Sequence, residues 1–271
     1  MENRFEKRFA DLSRRGEGGF VPFVTLCDPD KETSKKILDC LVKGGADALE
    51  LGFPFSDPSA DGPVIQLADK RALASGARTT DFFDCISYIR RKNPDLPISI
   101  LVYANVVYAH GLDRFFKMAA DSGLDAVLVP DVPVGMLHTS GDFKKAADDH
   151  GVNLVLIAPP NASEQTLEQI AKTTGGYTYV LSRFGITGTD KEFGKPVKVI
   201  RRLKELGAPV PILGFGISTP DHVRQALETG ACGAIAGSAC VKIVAANLGD
   251  VPKMLGELEK YVASMKAATR A

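Results

Sequence analysis

An alternation constrains this chain most: short apolar runs rich in β-branched residues recur between longer stretches of helical period, from its first tenth to its last. The strand candidates are 21–26, 46–51, 98–102, 126–129, 152–157, 177–181, 210–213 and 233–236, eight in all. Segments such as 31–43, 112–122, 164–172, 196–206 and 220–229 carry helical spacing between them, and several close on a glycine suited to a left-handed cap. The units echo one another. GGADALELG at 44–52, SGLDAVLVPD at 122–131, HGVNLVLIAP at 150–159 and TGACGAIAGS at 229–238 each set a glycine just before an apolar strand. Eight βα units with no Pro/Gly/Ser-rich linker predict an α/β fold, one (β/α)8 or TIM barrel domain over residues 1–271, in preference to an open doubly wound sheet. Segments 3–15 and, beyond 63–75, 81–91 read as helices additional to the minimal barrel, and 252–266 as the closing amphipathic helix.

Charge narrows the partners. With 33 Lys+Arg against 33 Asp+Glu and no dense basic block, the chain is not built to neutralise nucleic-acid phosphates or an anionic membrane. No apolar run reaches about 18 residues and the opening MENRFEKRFADL has no signal-peptide core, so a cytoplasmic location is expected. The five cysteines, an odd number without a C-x-x-C pair, indicate neither a disulfide framework nor a zinc site, and the four histidines are scattered. No metal site is predicted. No Walker-type loop is present and no G-x-G-x-x-G follows the first strand, which argues against a dinucleotide-binding fold.

In such a barrel the chemistry sits at the carboxyl ends of the strands. In Ala48-Leu49-Glu50-Leu51 the period of two sends both leucines under the helices and turns Glu50 into the barrel. A carboxylate there loses hydration, which raises its pKa toward the range of a general acid or base; a structural ion pair is the alternative. The following loop, residues 52–62, is 11 residues long against the usual two to six and carries Asp57 and Asp61. Asp61 lies 11 positions from Glu50 and can fold back toward it, although Asp61-Gly62 by itself favours an ordinary turn. Glycine clusters at 183–188, 214–218 and 237–239 follow the last three strands, where backbone N–H groups and a helix start receive a substrate phosphate. Residues 182–194 have the composition of a lid. Tyr103, Asn105 and Tyr179 stand near strand ends as pocket candidates, and Phe23, Leu101, Leu128, Ile157 and Phe215 suit either a flat apolar slot or core filling. No lysine ends an apolar strand, Lys242 lying within helical spacing beyond the eighth, so a Schiff-base mechanism lacks its residue.

The run LELGFPFSDPSADGP at 49–63 strongly resembles the signature of the tryptophan synthase alpha chain family. FVPFVTL at 20–26, Tyr103-Ala104-Asn105, Asp131-Val132-Pro133, Pro159-Pro160-Asn161, residues 177–188, 214–218 and 237–239 resemble that family's other motifs in the same order, over almost the whole chain. The resemblance implies a lyase that cleaves indole-3-glycerol phosphate to indole and glyceraldehyde 3-phosphate by a retro-aldol reaction, with no cofactor in this chain. It implies Glu50 as the acid–base residue, Asp61 as the carboxylate that accepts the indole N–H, and Tyr179 as a pocket tyrosine. It further implies a phosphate cradle of Gly188, Gly216, Gly237 and Ser238, an indole slot of Phe23, Leu101, Leu128, Ile157 and Phe215, and closure segments carrying Pro54, Asp57 and Thr187. A beta chain holding pyridoxal phosphate is the implied partner, in an alpha2beta2 assembly. Cys27, Ser59, Pro130 and Phe184 depart from the family pattern, and none of them removes a catalytic group. A free-standing indole-glycerol-phosphate lyase, a phosphosugar isomerase or epimerase, and a barrel kept only as a binding subunit are the alternative readings.

Overall fold

The structure, a computed structural model, describes residues 3–137, 142–182 and 194–270. Strands β1 (Gly19–Thr25), β2 (Leu49–Gly52), β3 (Ile98–Leu101), β4 (Ala126–Leu128), β5 (Asn153–Val155), β6 (Ile157–Ala158), β7 (Thr178–Leu181), β8 (Pro211–Gly214) and β9 (Gly233–Ala236) lie in the order β5-β4-β3-β2-β1-β9-β8-β7-β6. Every pairing is parallel. The two ends of that row, β5 and β6, are halves of one extended stretch interrupted at Leu156, so the row returns on itself as a barrel. Leu156 bridges the seam: its N–H donates to Thr174 Oγ1 at 2.9 Å, and its carbonyl accepts from the Tyr179 N–H at 3.1 Å. The eight expected strands are all present, the fifth broken in two by this change of partner.

Helices α1 (Arg4–Arg14), α2 (Lys31–Lys43), α3 (Pro63–Ala74), α4 (Thr79–Lys92), α5 (Ala104–His110), α6 (Leu112–Asp121), α7 (Phe143–Asp149), α8 (Glu164–Thr173), α9 (Gly194–Glu205), α10 (Pro220–Glu228), α11 (Ser238–Ala246) and α12 (Val251–Ala267) connect and surround the strands. Helices α5 and α7 have seven residues each, too few to display a helical period in sequence. Two apolar layers result. Leu49 and Leu51 belong to the layer between strands and helices, while Phe23, Ala48, Leu128, Tyr177, Tyr179 and Ile235 fill the interior of the barrel. This is the division that the period of two along β2 requires.

Helix α1 closes the amino-terminal end of the barrel. Its side-chain cap is Asn3, which accepts the Phe5 N–H at 3.1 Å, and its buried residues Phe5, Phe9 and Leu12 all enter the interior cluster. Full burial of one such phenylalanine is worth about 2–3 kcal/mol. At the same end Asp125 receives Arg4 at 2.7 Å, Arg90 at 2.5 Å and the Ile98 N–H at 2.8 Å, which satisfies a buried carboxylate from three sides. With the floor plugged, the barrel interior opens, among the described residues, at the carboxyl ends of the strands. Among the described residues no helix is long and apolar enough to cross a membrane.

Candidate active site

A cavity of about 370 Å³ opens at that end, within the size range of small-molecule sites. Glu50, Asp61 and Tyr179 line it together with Phe23, Leu101, Ile65, Ile235, Phe215, Gly216, Gly237, Ser238 and Lys242.

Glu50 is placed by β2, registered between Phe23 of β1 and Ser99 of β3. Its side chain is 1% exposed. The Tyr177 hydroxyl donates to Glu50 Oε1 at 2.5 Å, and Ser99 Oγ lies 3.3 Å from that hydroxyl. Burial pushes the Glu50 carboxyl up to about 7; the Tyr177 hydrogen bond opposes this and the nearby Asp61 charge adds to it. The group therefore exchanges a proton near neutral pH, as acid–base catalysis demands.

Asp61 combines its two expected readings. Its N–H closes a turn on the Pro58 carbonyl at 3.2 Å, while its carboxylate Oδ2 accepts the Tyr103 hydroxyl at 2.7 Å. Tyr103 Oη in turn accepts the Ala60 N–H at 3.0 Å, so one tyrosine from the end of β3 fastens the loop and orients its carboxylate. Burial raises the Asp61 pKa and the Tyr103 bond lowers it. A third carboxyl, Asp69 on α3, is 4% exposed and is pushed up to about 8, first by burial and then by Asp61 and Asp28. Nothing in local sequence spacing marks Asp69, whose position on the buried face of α3 follows from the packing of that helix. Asp28, in the turn after β1, is held by Arg71 Nε and Nη2 on α3, at 2.8 and 2.7 Å.

Tyr179 on β7 faces the cavity, and its hydroxyl comes so close to Gly214 that a Cβ there would collide with it. Burial, followed by the Glu50 and Asp61 charges, raises its pKa far above the ordinary value, so it acts as a neutral phenol. After β8 the chain takes positive φ at Phe215 (72°) and Gly216 (79°). This puts Gly216 in the cavity lining together with Gly237 and the first residue of α11, Ser238. Lys242, one turn into α11, supplies a cation to the same wall. Together they form an anion-binding rim of the kind that helix starts and glycine-rich turns provide.

Of the five residues expected around indole, Phe23, Leu101 and Phe215 line the cavity. Leu128 and Ile157 join the barrel-interior cluster and are not among the lining residues. Pro54 is buried and Asp57 exposed in the loop after β2, which Phe55 pins to the Tyr103 ring at 5.5 Å between centroids. Gly188 and Thr187, and with them Phe184, lie outside the described residues. Sequence reasoning missed Tyr177 as a Glu50 partner, and Ile65, Ile235 and Lys242 as lining residues. A polar hydroxyl beginning an apolar strand was the available sign for Tyr177. Among the described residues no group of three or more His, Cys, Asp or Glu side chains is placed to hold a metal ion.

A parallel barrel with a buried carboxyl poised near neutrality, a second carboxylate across the cavity and a glycine-lined anion rim defines a (β/α)8 enzyme that performs acid–base chemistry on an anionic substrate. The family model described as tryptophan synthase alpha chain matches residues 9–270, and the chain belongs to that family. A tryptophan synthase alpha chain of Francisella tularensis subsp. tularensis is 52% identical over 270 residues, with 99% of each chain covered. Among solved structures, the tryptophan synthase alpha subunit of Legionella pneumophila superimposes with a TM-score of 0.88 at 28% identity, covering 99% of both chains. A chain from the a2b2 tryptophan synthase complex of Pyrococcus furiosus gives a TM-score of 0.80 at 33% identity, over 93% of this chain and 98% of that one.

Proposed function

We propose that the chain, working as one barrel domain, cleaves indole-3-glycerol phosphate to indole and glyceraldehyde 3-phosphate with Glu50 and Asp61 as its paired carboxyl groups. The observation that carries this reading is the buried Glu50 carboxyl, pushed up to about 7, facing the same cavity as Asp61. Breaking the carbon–carbon bond requires a proton on the indole carbon that leaves and removal of the proton from the glycerol hydroxyl next to it. A single group that both delivers and accepts a proton near pH 7 serves both transfers, and this is the role of Glu50. Asp61, held by Tyr103, accepts the indole N–H and stabilises the positive charge that develops when the ring passes through its indolenine form. Tyr179 packs against the substrate. Phe23, Leu101 and Phe215 sandwich the ring, Leu128 and Ile157 support that slot from the barrel interior, and Gly216, Gly237, Ser238 and Lys242 receive the phosphate, with Gly188 added from the segment after β7.

None of this chemistry needs a cofactor in this chain. The reaction belongs to the biosynthesis of an aromatic amino acid, and the cytoplasm is its compartment. The partner is a beta chain carrying pyridoxal phosphate, in an alpha2beta2 assembly like that named for the Pyrococcus relative. Support comes from the surface beside the catalytic loop, where Leu67 (56% exposed) and Leu73 (36%) border a groove with Phe55 and Pro58. Pro54 and Asp57 in that loop, and Thr187, are the closure residues that report substrate to the partner.

Indole release from indole-3-glycerol phosphate, measured with and without a tryptophan synthase beta chain, tests the reading. Slow release that rises steeply with the partner is expected, and Glu50→Gln lowers it about a hundredfold or more while the fold persists. Fast release indifferent to the partner would indicate a free-standing lyase, and Glu50→Gln within a few-fold of wild type would remove Glu50 from the proton transfer.

A further inference from the structure

Two cysteines far apart in sequence meet sulfur to sulfur. Cys27, in the turn after β1, and Cys85, on the inner face of α4, are both fully buried with 3.9 Å between their Sγ atoms. Cys85 Sγ also lies 3.8 Å from the Lys31 carbonyl, while Cys40 Sγ donates to the Leu255 carbonyl at 3.0 Å and Cys240 Sγ to the Ala236 carbonyl at 3.5 Å, neither with a second sulfur in contact. Cys27 also carries its side chain at φ 58°, a conformation in which glycine is the low-cost residue, so this sulfur is delivered against a backbone preference. A disulfide has about 2 Å between sulfurs. Bringing each sulfur about 1 Å toward the other closes the gap, a displacement within the reach of a small side-chain rotation.

We propose that Cys27 and Cys85 form a peroxide-sensitive thiol pair, a modification site at which the folded chain acquires a reversible internal disulfide. The two sulfurs share one contact in which either can donate, and the ammonium groups of Lys35 and Lys31 favour a thiolate at Cys85. One sulfur of the pair attacks the oxidant and the other resolves.

In the first step one thiol gives up its proton and its sulfur attacks an oxygen of hydrogen peroxide; the O–O bond breaks, the sulfur becomes a sulfenic acid, and hydroxide leaves with that proton as one water. In the second, the other thiol gives up its proton and attacks the sulfenic sulfur; the S–O bond breaks and hydroxide leaves with that proton as a second water. Two thiols lose two electrons and two protons, and one hydroperoxide is reduced to two waters. Because both sulfurs are buried, the oxidant enters through local opening of α4, and the reaction is slower than at a surface thiol. The partners are 58 positions apart, and the segment between them contains Glu50 and Asp61, so the bond would close a ring on the catalytic part of the chain. The inference does not depend on the proposed reaction.

The test uses the full-length native chain, exposed to hydrogen peroxide, unfolded, alkylated and mapped by mass spectrometry without reduction. The expected result is a Cys27–Cys85 linked peptide two hydrogens lighter than its separate halves, with three of the five thiols still alkylated. Dithiothreitol reverses it, and the oxidised chain melts about 5 °C higher than the reduced one because its unfolded state is restricted. Cys27→Ser and Cys85→Ser each abolish the linked peptide; the first readout is on the wild-type chain, so a poorly folding variant does not decide the matter. Five thiols still free, a linked peptide through another cysteine, or either sulfur of the pair advancing to sulfinic acid without a link would overturn the proposal.

Discussion

Tyr177 reaches across the barrel interior to donate its hydroxyl hydrogen to Glu50 Oε1 at 2.5 Å, joining residues 127 positions apart. Below it, the Phe5 ring of α1 lies 4.9 Å from the Tyr177 ring, so the helix that plugs the barrel floor also supports this tyrosine. The pair sets two opposed influences on one carboxyl. Burial drives Glu50 upward, and the phenol holds it down at about 7, close to working pH.

Removing that hydroxyl should therefore move the pH profile in one direction. Tyr177→Phe keeps the ring against Phe5 but deletes a hydrogen bond that favours the Glu50 carboxylate, so the Glu50 pKa rises. The limb of the kcat profile governed by ionised Glu50 is expected to shift about one pH unit higher, with cleavage at pH 7 down about fivefold because the ionised fraction falls from about one half to about one eleventh. A rate profile from pH 5.5 to 9 checks this. An unmoved limb would reduce Tyr177 to a packing residue.

Stability should carry the opposite sign of pH dependence from that of ordinary paired carboxylates. In the folded chain Glu50 keeps its proton up to about pH 7, whereas unfolded it ionises near 4.5. The folded state binds the extra proton in this window, so the group's favourable contribution is complete below pH 4.5 and is lost as pH rises through 7. The loss is on the order of 3 kcal/mol. Glu50→Gln escapes it, and urea unfolding should find the variant more stable than wild type at pH 8, with the advantage gone at pH 4.5. Equal pH slopes for the two chains would contradict the raised pKa.

Lys242 tests the anion rim separately from the chemistry. It lines the cavity from α11, next to Gly237 and Ser238, and touches neither carboxyl partner among the bonds described. Lys242→Gln should raise the KM for indole-3-glycerol phosphate about tenfold, a loss of about 1.4 kcal/mol of binding, and leave kcat within twofold. The effect should shrink as ionic strength rises. A fall in kcat at unchanged KM would place Lys242 in the chemical step.

Much of the architecture was legible because it rests on local period. Leu49, Glu50 and Leu51 divide between two faces by alternation alone, and the glycines before the strands at 46–51, 126–129, 152–157 and 233–236 mark the ends of helices whatever surrounds them. The seam at Leu156 was not legible, since a single apolar run reads the same whether it pairs with one neighbour along its length or changes partner midway. Asp61 shows the same limit. Asp-Gly is a turn in any fold, and only the Tyr103 hydroxyl, brought from the end of β3, gives its carboxylate a fixed direction.

By itself, then, the sequence determined the repeating βα pattern, the inward turn of Glu50, the glycine-rich strand ends at 214–218 and 237–239 and the family signature at 49–63, all properties of neighbours along the chain. Tertiary structure alone decided that Tyr177 meets Glu50, that Lys242 shares a wall with Gly216, that Asp69 is buried near Asp61 and that Cys27 faces Cys85. These are contacts between distant segments. They depend on how the barrel closes and on the register of its strands, which side-chain packing sets across the whole fold and no local period encodes.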